Sequence, residues 1–340
     1  MEVYCHLRSG DQEDLRLIPK IAQTAEELGF DGISFSELAH DPFFPSIMAI
    51  EHTEKIRVAT SIAIAFARSP MLSAYMAWDL QKMSDGRFEL GLGTQVKGHN
   101  ERRFSVPWYA PAPRMKEYVE SIKSIWDCWQ NGAELNYQGK HYSIDLMTPE
   151  FNPGKLDCDM PTISIAAVGP VMSKVAGSVC DGIILHSFNN NRYVEEVVLP
   201  NVEIGAKSNG RTMDDISIVA GGMIATGGDE EEVMLQREVC RKRISFYGST
   251  RSYKSVMDMH EWGDTCLELH EMSKQGKWQE MPSLINESIL DTFSVSGAYK
   301  DIGPALKERY GAYSSRISLG FPSDESSHSD LANLLRYLHE

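Results

Sequence analysis

Hydrophobic positions change their spacing repeatedly along this chain, from alternation in short segments to intervals of three and four in longer ones. The first pattern predicts β-strands and the second predicts amphipathic helices. The strands are expected at residues 2–7, 31–36, 56–64, 87–92, 162–167, 182–186, 216–225 and 315–320. The helices are expected at residues 13–29, about 44–53, 71–84, 114–130, 171–180, about 192–208, 229–245, 299–310 and 328–338.

These eight strands, mostly each followed by a helix, predict a (β/α)8 TIM barrel, because parallel strands need helical crossovers and eight of them close. A doubly wound open sheet is the alternative, although five or six strands would suit it better. The roughly fifty residues after Tyr247 fit no βα unit. We therefore predict a single barrel domain over residues 1–340, with a helical insertion at about 246–290.

Composition narrows the class of partner. The 340 residues include 48 acidic and 33 basic side chains, and the net charge is −15. A chain this acidic repels phosphate backbones, which argues against nucleic acid and anionic membranes as partners. It has no apolar run of signal-peptide or membrane-span length. Six cysteines without a C-x-x-C pair suggest reduced thiols, and we expect a cytoplasmic protein.

The segment ELGLGTQVKGHNERRF, residues 89–104, comes close to two phosphate-binding motifs and matches neither. A dinucleotide fingerprint needs glycine where Val96 stands, and a Walker-type loop needs lysine where His99 stands. In a barrel the segment ends the fourth strand, on the side where active sites lie. We interpret Gly91 and Gly93 as positions where a flat ligand approaches the backbone.

Three further segments, taken with that loop, resemble the bacterial luciferase-like family of flavin and deazaflavin enzymes. They are VATSIAIAFARSP running into MAWDLQKMSDGRFELGLGT, ISIAAVGPVMSKVAGSVCDGII, and VSGAYKDIGPALKERYGAYSSRISL. ERRFSVPW, WDCWQNG, LMTPEFNPG and FYGSTRSY are similar to the branch that uses coenzyme F420. The resemblance implies a barrel with the cofactor ring over the strand ends. It also implies a homodimer or larger homo-oligomer.

The resemblance also implies which residues hold the cofactor. It places a non-prolyl cis peptide at Ser61–Ile62 in the third strand, behind the ring. Beside the ring and its side chain it places Gly93, Thr94, Gln95 and Val96. Flavin-using luciferases have an arginine at the Thr94 position that helps hold the phosphate of FMN. Its absence here favours F420 over FMN.

A phosphate site is expected where strand 162–167 meets its helix. Pro170 suits a first helical turn, and the following amides point outward as unpaired donors. The resemblance carries contacts with the phosphate-bearing tail of the cofactor over to Ala167, Val168 and Gly169. A Gly-Pro turn is also the commonest kind of helix start, so the turn alone leaves the point open.

His40, just after the second strand, is the predicted proton donor or acceptor, since imidazole suits acid–base work near neutral pH. Family members that oxidise alcohols or sugars have an adjacent acid–histidine pair at this strand end. Glu37 is the second catalytic candidate, but two residues separate it from His40 here, so the correspondence is shifted. His99 and Trp108 are expected to wall the substrate pocket.

Two groups of charged residues have a structural interpretation beside the functional one. The basic residues Lys97, Arg102 and Arg103 could meet the polyglutamate tail of F420 or an acidic substrate, or simply face solvent in a loop. A second cluster consists of His260, Glu261, Glu268 and His270. Its spacing matches no H-E-x-x-H pattern, so no metal site is expected.

The predicted function is hydride transfer between F420 and a small organic substrate. One alternative is an FMN-dependent monooxygenase that receives reduced flavin from a partner reductase. Another is a non-catalytic flavin-binding protein on the same fold. Sequence leaves the three open, because fold does not fix chemistry.

Overall fold

The computed structural model describes residues 1–7, 14–322 and 324–340. The chain folds as a (β/α)8 barrel, as predicted. The strands are β1 Glu2–Leu7, β2 Gly32–Phe35, β3 Arg57–Thr60, β4 Ala63–Ile64, β5 Phe88–Gly93, β6 Tyr137–Gln138, β7 Ser143–Ile144, β8 Thr162–Ala167, β9 Gly182–Leu185, β10 Ser217–Val219, β11 Met223–Gly227, β12 Ser294–Ala298 and β13 Arg316–Leu319.

Helices alternate with these strands. They are α1 Ile18–Leu28, α2 Phe43–Glu51, α3 Pro70–Met83, α4 Lys97–Arg102, α5 Pro111–Asn131, α6 Pro170–Val179, α7 Asn191–Tyr193, α8 Leu199–Ser208, α9 Glu230–Gly248, α10 Lys254–Asp258, α11 Gly263–Lys274, α12 Glu287–Phe293, α13 Gly303–Tyr310 and α14 His328–His339. Within the described residues, no helix is both long and apolar enough to cross a membrane.

The barrel sheet follows chain order. The strands lie in the order β3, β2, β1, β13, β10, β9, β8, β5 and β4, and a further β3–β5 pairing closes the ring. Because β3 and β4 are two halves of one interrupted strand, the barrel has the eight strands that the sequence predicts. The hairpin β6–β7 and the parallel pair β11–β12 lie outside this sheet.

The chain divides into two compact groups of residues. The first, residues 4–184 and 201–217, contains β2 to β8 and the helices α1 to α6. Its interior includes the predicted apolar face of α5, whose Val119, Ile122 and Trp126 are at most 2% exposed. Burying each such side chain contributes about 1.5–3 kcal/mol. The indole of Trp78 on α3 meets that of Trp129 edge-on, with ring centroids 5.3 Å apart.

The second group comprises residues 1–3, 185–200 and 218–340. Here β11 and β12 pair in register from Met223–Ser294 to Gly227–Ala298. Arg237 and Arg241 on α9 each donate to the Glu287 carboxylate, at 2.5 Å in both cases. The predicted insertion at about 246–290 is helical: it contains α10, α11, short 3-10 turns and the start of α12.

Several predicted boundaries are wrong for local reasons. Strand 216–225 is two strands, β10 and β11, because the chain turns at Gly222, whose φ is 101°. Helix 299–310 begins only at Gly303, next to Pro304, and the preceding strand β12 was not foreseen. The segment of Lys97, Arg102 and Arg103, expected as a loop, contains α4. Helix 13–29 begins at Ile18 after a 3-10 turn, and its residue 13 lies outside the described residues.

Candidate functional site

The predicted cofactor segments follow neighbouring strands of the first group. Ile64 of β4 lies opposite Gly93 of β5, and Leu92 of β5 lies opposite Ile165 of β8. Because these strands are parallel, their carboxyl ends meet at one edge. The segments 61–62, 93–96 and 167–169 are therefore neighbours on the face where barrel enzymes place their active sites.

The interruption between β3 and β4 is a non-prolyl cis peptide at Ser61–Ile62, so this prediction is confirmed. The Ser61 N–H donates to the Phe35 carbonyl at 2.8 Å, and the Ile62 carbonyl accepts the Glu37 N–H at 3.1 Å. These bonds join the third strand to the segment that follows β2. The role of the two residues in cofactor binding stays a prediction.

The glycines of β5 also have a packing role that the sequence did not indicate. A Cβ on Gly93 would lie 2.6 Å from Ile62 Cδ1, and a Cβ on Gly91 would lie 1.9 Å from the Thr60 carbonyl oxygen. The space beside both residues is already filled by β3 and by the residue after the cis bond. These glycines therefore allow the neighbouring strands to pack. This packing role is independent of any ligand contact at the same residues.

Replacing Gly91 with alanine should destabilise the fold by about 1–3 kcal/mol, because an added methyl overpacks a filled site. The clash is with a backbone oxygen, which has no rotamer to escape into. Urea unfolding followed by circular dichroism would measure the loss. Gly320→Ala is the matched control, since a Cβ there meets no atom of the described chain within 4 Å. Equal midpoints for the two variants would contradict the packing explanation.

The turn after β5 is held from behind by Asn100, a residue that the sequence did not single out. Its buried amide Nδ2 donates to the carbonyls of Thr94 at 2.9 Å and Val96 at 3.1 Å. Between them Gln95 adopts a left-handed φ of 57°. The Asn100 Oδ1 atom is buried and has no hydrogen-bond partner in the described structure. The predicted residues Thr94 to Val96 are thus fixed by one side chain.

Glu37 lies in a largely buried ion pair. Its carboxylate accepts from Arg68 Nη1 at 2.7 Å and Nη2 at 3.1 Å, and from the Ile64 N–H at 2.7 Å. Arg68 also donates to Asp41 and lies over the Phe43 ring. Burial acts to lower the Arg68 pKa, but the two carboxylates raise it, so the guanidinium stays charged. Every described hydrogen bond of the Glu37 carboxylate therefore joins the segment after β2 to the segment after the cis peptide.

His40 is placed differently from Glu37. Its imidazole is partly exposed, and among the described residues it has no hydrogen-bond partner. The next residue, Asp41, is fixed by Arg68 and by the Phe43 N–H, which donates to its carboxylate at 2.9 Å. The structure therefore holds the backbone beside His40 and leaves both ring nitrogens available.

Trp108 lies in a segment fastened by Arg114. The Trp108 ring meets Phe66 edge-on with centroids 6.1 Å apart, and the buried Arg114 guanidinium lies 4.2 Å from the centre of the Phe66 ring. Arg114 also donates to the Pro107 carbonyl at 3.1 Å and to the Tyr142 hydroxyl at 3.0 Å. Arg114 thus positions Trp108 through both the ring that it contacts and the residue before it.

His99 and the basic residues belong mainly to α4. His99, Lys97 and Arg102 are exposed there. Arg103, at the end of the helix, donates to the Leu38 carbonyl at 2.6 Å. This bond joins the segment after β5 to the segment that carries His40. Arg103, which the sequence placed either in a ligand contact or in a solvent-exposed loop, therefore has a structural partner.

The turn from β8 into α6 keeps its first amides open. Gly169 is the N-cap, Pro170 begins the helix, and no side chain of the described residues caps this end. A Cβ on Gly169 would meet nothing within 4 Å in that part of the chain. The amides of Val171 and Met172 can therefore receive an anion.

His260 and His270, in the second group, have aromatic and backbone partners. His260 stacks on Trp262 with centroids 4.8 Å apart, and His270 Nδ1 lies 3.0 Å from the Ser249 carbonyl oxygen. Across the described ranges, no group of three or more His, Cys, Asp or Glu side chains is arranged to hold a metal ion.

Comparison with known proteins gives the family. A protein of Mycobacterium tuberculosis described as uncharacterized is 43% identical over 288 residues, which cover 85% of each chain. An F420-dependent glucose-6-phosphate dehydrogenase of Microbacterium testaceum is 30% identical over 205 residues, covering 56% of this chain and 59% of that one.

A solved structure shares the fold. The coenzyme F420 dependent tetrahydromethanopterin reductase of Methanopyrus kandleri superposes with a TM-score of 0.78 at 18% identity, covering 99% of this chain and 98% of that one. The family model described as luciferase-like monooxygenase matches residues 3–316. The resemblance found in the sequence is confirmed, and the chain belongs to the luciferase-like monooxygenase family.

Proposed function

We propose that this protein is an oxidoreductase that uses F420 to transfer a hydride to or from a small organic substrate. The observation that carries the proposal is the similarity to an enzyme named for F420 dependence, in a family whose barrel this chain shares. The structure of the Methanopyrus kandleri reductase, also named for F420, supports it by likeness of fold. We further propose a single domain that assembles as a homodimer or larger homo-oligomer.

The residues present fit the anionic tail of such a cofactor. The open first turn of α6 offers amides to a phosphate, and Gly169 leaves room beside them. Helix ends contribute only about 0.3–1 kcal/mol per exposed anion interaction, so other donors must converge. We assign Ala167, Val168 and Gly169 to the phosphate. Ser61, Ile62, Gly93 and the turn Thr94–Val96 are assigned to the ring and its side chain.

When bound, F420 supplies the ring that accepts or releases the hydride. A substrate alcohol that loses hydride must also lose a proton, and a reduced double bond must gain one. We assign that proton to His40, because its imidazole has no described partner and lies in a fixed segment. Glu37 is assigned a positioning role, since its carboxylate already binds Arg68 and the Ile64 N–H. Trp108, and more loosely His99, would contact the substrate.

An FMN-dependent monooxygenase is the second candidate function, favoured by the family description itself. It requires FMN in place of F420. A third candidate, a flavin-binding protein without catalysis, predicts that replacing His40 leaves every measured property unchanged.

Calorimetric titration with F420 and FMN in parallel separates these functions. We expect the dissociation constant for F420 to be at least about tenfold below that for FMN, a difference of about 1.4 kcal/mol. The deazaflavin lacking its phosphate tail should bind more weakly than F420, because the α6 amides then have no anion to receive. Tighter binding of FMN would replace the proposal with the monooxygenase function.

A further inference from the structure

An aromatic cluster lies in the second group, outside every residue assigned above. It consists of His186, Phe188, Tyr247 and Tyr253. The His186 ring meets Tyr247 nearly perpendicularly at 4.7 Å between centroids, and Tyr253 at 5.0 Å. Phe188 is fully buried and packs behind the two tyrosines at 6.2 and 6.0 Å. His186, Tyr247 and Tyr253 are largely but not completely buried, so the edge of the cluster reaches the protein surface.

Three polar atoms of this cluster are not used by the protein. His186 Nδ1 accepts the Phe188 N–H at 3.0 Å, which places the ring hydrogen on Nε2. In the described structure neither that Nε2–H nor the hydroxyls of Tyr247 and Tyr253 have a hydrogen-bond partner. None of the three is among the fully buried unpaired atoms, so each keeps some exposure to solvent.

His186 and Tyr253 are uncharged around neutral pH. Burial lowers the pKa of His186 to about 4, so the imidazole stays neutral. Burial raises the pKa of Tyr253 to about 12, so its hydroxyl keeps its proton. Neutral donors on aromatic faces suit a neutral acceptor, because a charged ligand would lose hydration without gaining a counter-charge.

We propose that the aromatic cluster binds an uncharged, ring-bearing ketone or aldehyde. The ligand ring packs against the aromatic side chains, and its carbonyl oxygen accepts from His186 Nε2–H and a tyrosine hydroxyl. His186 directly follows β9, and barrel enzymes recruit substrate-binding side chains from the carboxyl ends of their strands. Such a ketone is therefore also a candidate substrate. The substrate role rests on the proposed function, whereas the binding of the ketone to the aromatic cluster is independent of it.

The test is calorimetric binding of acetophenone to the full chain, alone and saturated with F420. Benzoate is the charged comparison of similar size. We expect acetophenone to bind at least tenfold more tightly than benzoate. The changes His186→Phe, Tyr247→Phe and Tyr253→Phe remove donors and keep rings. His186→Phe and at least one tyrosine change should weaken acetophenone binding threefold to tenfold, as expected for one lost hydrogen bond.

Tyr337→Phe is the matched control, because it removes a hydroxyl from a partly exposed tyrosine outside the cluster. It should leave acetophenone binding unchanged. Equal binding of acetophenone and benzoate, or equal binding by all variants, would overturn the proposal. Because acetophenone binding is also measured without F420, a failure of the binding proposal can be distinguished from a failure of the proposal that F420 is the cofactor.

Discussion

Replacing His40 with alanine should slow hydride transfer by a factor of about 10²–10⁴, the usual contribution of a positioned acid–base group. The imidazole is partly exposed and has no described hydrogen-bond partner, whereas its neighbour Asp41 is held by Arg68. The loss should therefore fall on the rate of the chemical step. Affinity for F420 should change by less than about twofold, since no predicted cofactor contact is removed.

The measurement begins with a panel of alcohols, aldehydes and ketones, followed by the absorbance of F420. The substrate that reacts fastest is then used in single-turnover experiments with wild type and His40→Ala. Added imidazole should restore part of the rate in the variant, which a purely structural role would not allow. His52→Ala, a change at an exposed histidine at the end of α2, is the control and should keep the wild-type rate.

A wild-type rate in His40→Ala would remove His40 from the mechanism. A slow variant that imidazole does not rescue, and that binds F420 poorly, would instead give the residue a structural role. The two results can be told apart, because the first is measured as the rate of hydride transfer and the second as the calorimetric affinity for F420.

The barrel could be predicted because its signals are local. Runs such as residues 162–167 and the spaced apolar face of α5 depend on neighbours within a few positions. The cis peptide at Ser61–Ile62 was also foreseen, but only through family resemblance. The break at Gly222 and the strand β12 were missed because a short apolar segment does not reveal its pairing partner.

The supporting contacts of the site could not be predicted in the same way. Glu37 and Arg68 are 31 positions apart, and only the folded barrel brings their side chains together. Asn100 lies six residues after Thr94, yet its role depends on α4, where the sequence indicated a loop. Gly93 was recognised from the sequence as a position where a ligand approaches the backbone, and only the structure shows that its missing Cβ also makes room for Ile62.

Replacing Arg68 with methionine should destabilise the protein by about 3–5 kcal/mol, because it leaves a buried carboxylate without its counter-charge. The exposed fractions of the paired side chains are 13% for Arg68 and 9% for Glu37, so water can do little to compensate. The Ile64 N–H would remain as the one described donor to that carboxylate. Urea unfolding followed by circular dichroism measures the change in unfolding free energy.

The double variant Glu37→Gln with Arg68→Met tests the cause. A neutral amide still accepts the Ile64 N–H, and the one carboxylate that then lacks Arg68, that of Asp41, is 36% exposed, so the double variant should be more stable than Arg68→Met alone. Arg16→Met is the exposed control: the Arg16–Asp14 pair is solvent-accessible, and its loss should leave the unfolding midpoint unchanged. If the double variant were no more stable than the single one, the loss would come from Arg68 packing over Phe43 rather than from the stranded charge. The pair joins the segment after β2 to the segment after the cis peptide, so this outcome decides whether charge or packing holds the two strand ends together.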